Sequence, residues 1–219
     1  MKSTKLYAFV LIGLLGLPAL SAEFNSSDNS QQRLHDLQQR WATVNYQLEN
    51  DKQKQEFEAL VADAQQWVEQ EPESAPAHIW LGIIKSTYAG AKGGLGALSL
   101  AKESKKSLEK ALELDPNALD GSAYASLGTL YYKVPGWPFG FGDDDKAQQL
   151  LEKALTINPD GIDPNYFYAD YWFEQGNYAK AEHYAQKALK AAPRPERPLA
   201  DEARRAEVSQ LFAKIQREQ

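Results

Sequence analysis

The chain has 219 residues, 43% of them hydrophobic and 25% charged, with a net charge of -6 and no cysteine. That length suffices for one domain with a real apolar core, and the composition is globular rather than disordered. The mild acidity leaves no basic footprint for nucleic acid or anionic lipid, and the lack of thiols excludes disulfides, thiolate metal sites and cysteine nucleophiles.

At the N-terminus Lys2 and Lys5 flank the start of an apolar or glycine run from Leu6 to Leu17, which Pro18 ends before Ala19-Leu20-Ser21-Ala22. A basic start, a short apolar stretch and small residues after it describe a secretory signal peptide over residues 1–22, cleaved near Ala22. The run is shorter than the roughly 20 residues a spanning helix needs. Nothing later is apolar enough to span, so the mature chain is expected to be soluble outside the cytoplasm. Glu23 stands where a lipoprotein would carry its acylated cysteine, so no lipid anchor is expected.

Residues 23–32 are polar and read as a flexible lead-in. Residues 33–219 read as helical throughout, with no period-2 strand. A first pair of helices covers Leu34 to Leu48, with Trp41, and Phe57 to Val68, with Trp67, stopped at Pro72. Beyond it the sequence repeats itself. Lys110-Ala111-Leu112, Lys153-Ala154-Leu155 and Lys187-Ala188-Leu189 are followed, five residues after each alanine, by Pro116, Pro159 and Pro193. Seven residues before those alanines stand Ser104, Ala147 and Ala181, and three before them Leu108, Leu151 and Ala185.

Small, bulky, small and then proline is the second-helix pattern of a tetratricopeptide-type repeat. Two helices approach closely only where small residues lie at the crossing, and proline cannot continue the helix it follows. Pro159 and Pro193 are 34 residues apart, the period of this repeat. Trp80-Leu81-Gly82, and Leu127-Gly128 with Tyr131, mark first helices. A last helix from about Leu199 to Gln216, with Ala203, Ala206, Leu211 and Ile215 inward, would cap the stack. The expected fold is all-α: a tetratricopeptide-type helical-hairpin repeat solenoid with a C-terminal capping helix.

Two intervals exceed the period. Pro72 to Pro116 spans 44 residues, with the excess assigned to a flexible loop around Gly93-Gly94-Leu95-Gly96. That stretch has neither the preceding strand nor the Lys-Ser/Thr ending of a phosphate-binding loop. Pro116 to Pro159 spans 43, with the excess in Val134-Pro135-Gly136-Trp137-Pro138-Phe139-Gly140-Phe141-Gly142-Asp143. Here Trp137, Phe139 and Phe141 sit on a glycine and proline frame, and the expectation is that they turn inward, either sealing the repeats or lining a pocket. Asp143-Asp144-Asp145 reads as the charged start of the helix carrying Ala147. Asp163-Pro164 reads as an N-cap and first helical residue, opening a helix on which Tyr168 and Trp172 share a face. His35, His78 and His183 are scattered. No metal site, no cofactor site and no catalytic constellation is expected, and the chain is not read as an enzyme.

Leu130-Tyr131-Tyr132-Lys133-Val134-Pro135-Gly136-Trp137-Pro138, then Gly142-Asp143, then Ala154-Leu155 and Ile157-Asn158-Pro159-Asp160-Gly161-Ile162-Asp163-Pro164-Asn165-Tyr166-Phe167-Tyr168, resembles the T component associated with TRAP transporters. This is a tetratricopeptide-repeat family of the bacterial periplasm. The resemblance runs from about Trp80 to Ala213. It implies a non-catalytic partner of the periplasmic substrate-binding protein of an ATP-independent importer. It also implies a homotrimer, and a cavity for a small hydrophobic ligand near Tyr131, Trp137, Phe139, Tyr168 and Trp172. The other reading is a general envelope scaffold that holds a peptide or protein on its concave face.

Overall fold

The computed structural model describes residues 19–219. Most of the expected signal peptide therefore lies outside the described residues. The chain divides into two units, residues 1–33 and residues 34–219. In the first, the described residues are helical. The lead-in expected over residues 23–32 is thus helix rather than irregular chain: α1 is assigned as Ala19–Gln47. That stretch holds no proline and no glycine to interrupt the backbone.

The second unit continues with α2 (Asn50–Gln70), α3 (Ala75–Lys92), α4 (Gly94–Leu114), α5 (Ala118–Lys133), α6 (Asp144–Ile157), α7 (Ile162–Glu174), α8 (Tyr178–Lys190) and α9 (Pro198–Glu218). Helices α3 and α4, α5 and α6, and α7 and α8 pair as hairpins. The first helices of successive hairpins touch in the order α3, α5, α7, with α9 next in the row. This is the layered hairpin solenoid that the repeat pattern predicts, with α9 as its cap.

The small positions do the work assigned to them. Ser104, Ala147 and Ala181 are fully buried, as are Leu108, Leu151 and Ala185. A Cβ built on Gly82 would stand 2.6 Å from Leu108 Cγ, and one on Gly128 would stand 2.8 Å from Leu151 Cγ and 3.2 Å from the Ala147 carbonyl oxygen. In each hairpin the leucine therefore fills the space that the glycine leaves. Ser104 adds a buried hydrogen bond, its hydroxyl donating to the Gly82 carbonyl at 2.6 Å. In α7 and α8 the same layer holds Ala169 and Ala185, both fully buried.

Three local expectations are corrected. The excess before Pro116 is not a loop: α3 and α4 are lengthened instead, with Gly93 alone between them at φ 64. Two consecutive positive-φ glycines, Gly93 and Gly94, turn the chain, and alanine, leucine and lysine on both sides favour continued helix. At the start of α7 the N-cap is Gly161, and Asp163 lies inside the first turn, where two arginines claim its carboxylate. In α9 the inward row is Ala200, Arg204, Val208, Leu211 and Ile215, while Ala206 is exposed and Ala203 half-buried. Leu211 and Ile215 face inward as expected, and in the first half of the helix Arg204 takes the inward place instead of Ala203 and Ala206, reaching Asp163.

Gly128→Ala is expected to destabilise the fold by about 1–3 kcal/mol through overpacking, because backbone as well as Leu151 crowds the new methyl. Urea unfolding would show it, and combining it with Leu151→Ala should give less loss than the two single changes added together.

Candidate functional site

The loop between α5 and α6 is built on its own backbone. The Gly142 amide donates to the Pro135 carbonyl at 2.9 Å, and the Asp143 amide to the Tyr131 carbonyl at 2.9 Å. Both the Phe139 and Gly140 amides reach the Gly136 carbonyl at 3.1 Å, and Gly136 and Gly142 form a bridge between the two limbs. Side chains are barred from two positions of this frame. A Cβ on Gly140 would collide with the Pro135 carbonyl oxygen, and one on Gly142 with that of Val134. The loop then enters α6 through Asp143, whose carboxylate accepts from the Lys146 amide, with Asp144 and Asp145 in the first turn. Carboxylates there complement the helix dipole.

The six aromatic residues singled out from the sequence fall into three groups. Phe141 turns inward and packs edge-on against buried Tyr131, their ring centres 5.5 Å apart. Lys146 lies over the Tyr131 ring at 4.6 Å and Lys105 over Phe141 at 5.9 Å. Tyr168 is buried and Trp172 half-buried, in a cluster with Tyr171 and Tyr184 between α7 and its neighbours. The Tyr168 hydroxyl donates to Glu152 Oε1 at 2.9 Å, and Lys180 covers the Trp172 ring at 3.7 Å. Burial and that carboxylate push the Tyr168 pKa up, so the hydroxyl stays a neutral donor.

Trp137 and Phe139 do neither of the things expected of them. They are 90% and 77% exposed, so they seal nothing and line no interior pocket in the monomer. The backbone bonds of the loop hold its tip away from the core, and Phe141 alone supplies the seal. Neither the cleft around Asn45 to Lys54 and Ala91 nor the cleft between α2, α3 and α4 is lined by any of the six residues.

The first-helix face of the second unit is filled instead. Trp41 of α1 packs edge-on against Trp80 at 5.7 Å and donates through Nε1 to Thr87 Oγ1 at 3.0 Å. Gln39 donates to the Glu196 carbonyl at 2.7 Å, joining α1 to the segment before α9. Below this lies an ionic cluster that the sequence reading missed. Asp163 binds Arg194 at 2.7 Å and Arg204 at 2.8 Å, Arg194 also binds Asp201 at 2.6 Å, and Arg204 binds Glu207 at 2.6 Å. The Arg204 guanidinium stacks on Tyr166 and Phe167 at 4.5 and 4.7 Å. Burial raises the Asp163 pKa, but Arg204, Arg194 and Arg197 outweigh it and hold the carboxyl well below its ordinary range. A signal was present. Four of the seven arginines stand at Arg194, Arg197, Arg204 and Arg205, a local surplus of the residue best suited to forked carboxylate pairing.

The open surface lies elsewhere. A cleft of about 530 Å³ between α2, α3 and α4 is lined by His78, Lys85, Glu103, Lys106, Lys110 and Glu113 among others. At its floor Lys85 is buried and paired with Glu103 at 2.9 Å. Among the described residues no group of three or more histidine, aspartate or glutamate side chains is placed to hold a metal ion. Among them also, no helix is long and apolar enough to cross a membrane.

Residues 97–118 and residues 139–214 each match a tetratricopeptide-repeat family. A thermophilic tetratricopeptide-repeat protein of Thermus thermophilus superposes with a TM-score of 0.54 at 17% identity, over 70% of this chain and 72% of that one. MamA matches with a TM-score of 0.46 at 18% identity, over 76% of this chain and 91% of its own. No curated protein matches. Those two segments carry tetratricopeptide repeats, and the second unit has the fold of a helical-hairpin repeat solenoid.

Two outcomes are expected here. Asp163→Asn should lower stability by roughly 2–4 kcal/mol at neutral pH, between the exposed and fully buried limits for a broken ion pair. Because Asp163 ionises more readily when folded, its contribution is complete above the unfolded pKa of about 4 and fades as pH falls towards the folded value. Unfolding curves of the two proteins should therefore converge in strong acid. Trp137→Phe should cost less than about 0.5 kcal/mol and remove the most red-shifted, quencher-accessible part of the tryptophan emission.

Proposed function

We propose that the protein is an exported, non-catalytic scaffold that holds a protein partner in the envelope, with the polar cleft between α2, α3 and α4 as its receiving surface. The observation that carries this reading is the contrast between two regions. The first-helix face is filled by Trp41, Trp80 and the Asp163 cluster, while the cleft stays open and lined with charges of both signs. A groove of alternating Lys and Glu suits an extended peptide or a complementary protein surface, since charges at its rim set register and encounter rate. Export is supported by the residue pattern from Lys2 to Ala22.

The resemblance over Leu130 to Tyr168 supplies a specific partner to try, the periplasmic substrate-binding protein of a TRAP-type importer. Titration calorimetry of the purified mature chain against that protein from the same organism tests it. On this reading binding is salt-dependent and about tenfold weaker in the Lys106→Glu, Lys110→Glu double variant. Binding that ignores the reversal would move the site away from the cleft, and no binding would end the transport reading. Fractionation of cells expressing the full chain tests export: product retained with its N-terminus in the cytoplasm would refute it.

A further inference from the structure

The tip of the loop between α5 and α6 has no role in the fold and no part in the cleft. We propose that residues 134–145 form a knob that inserts Trp137 and Phe139 into an apolar pocket of a partner protein whose rim carries lysine or arginine.

Three observations carry this. The first is exposure: apart from Leu189 at 37%, these two rings are the only large hydrophobic side chains exposed among the described residues. Single exposed hydrophobes are ordinary, but two aromatics two residues apart on one tip are the kind of anchor that dominates interfaces. The second is the frame. Four backbone hydrogen bonds and the Gly136–Gly142 bridge fix the tip while both rings stay out of the core. A partner therefore has little loop entropy to remove, which is where much binding energy is otherwise lost. Glycine at 140 and 142 has a purpose here, since any side chain would break the frame.

The third is charge, and it selects the partner. Asp143, Asp144 and Asp145 follow the bridge directly and are exposed. Asp143 is used as a cap, but the Asp144 and Asp145 carboxylates have no ion pair among the described residues. The neighbouring cations Lys105 and Lys146 lie over the rings of Phe141 and Tyr131. Two apolar rings beside an unneutralised acidic step fit an apolar pocket with a basic rim. They fit an anionic bilayer poorly, because like charges would meet at the headgroups. The inference does not depend on what the cleft holds.

The test places a photo-crosslinking phenylalanine analogue at position 137 or 139 of the full chain, in cells that make the protein naturally, with exposed Lys190 as the control position. The crosslinked protein is then purified and titrated with the wild-type chain and its variants. Trp137→Ala and Phe139→Ala should each weaken binding at least about tenfold with thermal midpoints unchanged. Asp144→Asn with Asp145→Asn should weaken it about threefold at low salt and have no effect near 0.5 M salt. The proposal is overturned by crosslinking no stronger than at Lys190, or by a partner whose affinity survives Trp137→Ala. It is equally overturned if the only crosslink is to a second copy and light scattering shows an oligomer that Trp137→Ala dissolves. A blue shift of Trp137 emission on phosphatidylcholine–phosphatidylglycerol vesicles would give the knob to the membrane instead.

Discussion

Close approach of two helices within each hairpin is the condition on which the rest of this protein stands. Gly82 against Leu108 and Gly128 against Leu151 leave no room for one further methyl group. That contact brings the helices near enough for Ser104 to reach a backbone carbonyl across the interface. It also fixes where each hairpin ends, and hence where the loop between α5 and α6 leaves the core. A loosened crossing would move both the loop and the face on which α3, α5 and α7 meet, since close-packed interiors transmit displacement rather than absorb it.

The C-terminal part of the stack is held by a different balance of forces. Its core cluster is built from Ala169, Ala181, Ala185, Ala188 and Ala191 with Val208, Leu211 and Ile215. Alanine offers little apolar area, so each layer there contributes less than the leucine and aromatic layers before it. The Asp163 cluster ties α7, the segment before α9, and α9 itself at this place. Its worth is largely one of geometry. Forked arginine pairs hold the cap in one register, and removing one partner would strand charges that are costly to leave unpaired.

Two surfaces remain available once the fold has used its aromatic residues. The cleft is polar, open and lined by long flexible charges, which suits recognition that tolerates variation in the partner. The loop tip is small, apolar and held by its own backbone, which suits a single anchoring contact. They belong to different hairpins, α3 with α4 and α5 with α6, and can therefore serve one partner or two.

Much of this could be read from residues alone. The alanine, leucine and proline spacing located every second helix of the three full repeats, because helical period and close packing leave few residue types able to occupy those positions. The tri-aspartate start of α6 was equally legible, since capping is a local interaction. The two glycine-rich stretches looked alike in sequence yet behave differently: Gly93 is one turn between long helices, while Gly136 to Gly142 closes a loop through hydrogen bonds between its limbs. Nor could the pattern tell which of three adjacent aromatics turns inward, because Phe141 does so only where Tyr131 waits for it. Asp163 in the first turn of α7 looked like a cap until Arg194 and Arg204, distant along the chain, came within reach. Spacing records what neighbours along a helix demand, and those residues were assigned by neighbours that only folding brings together.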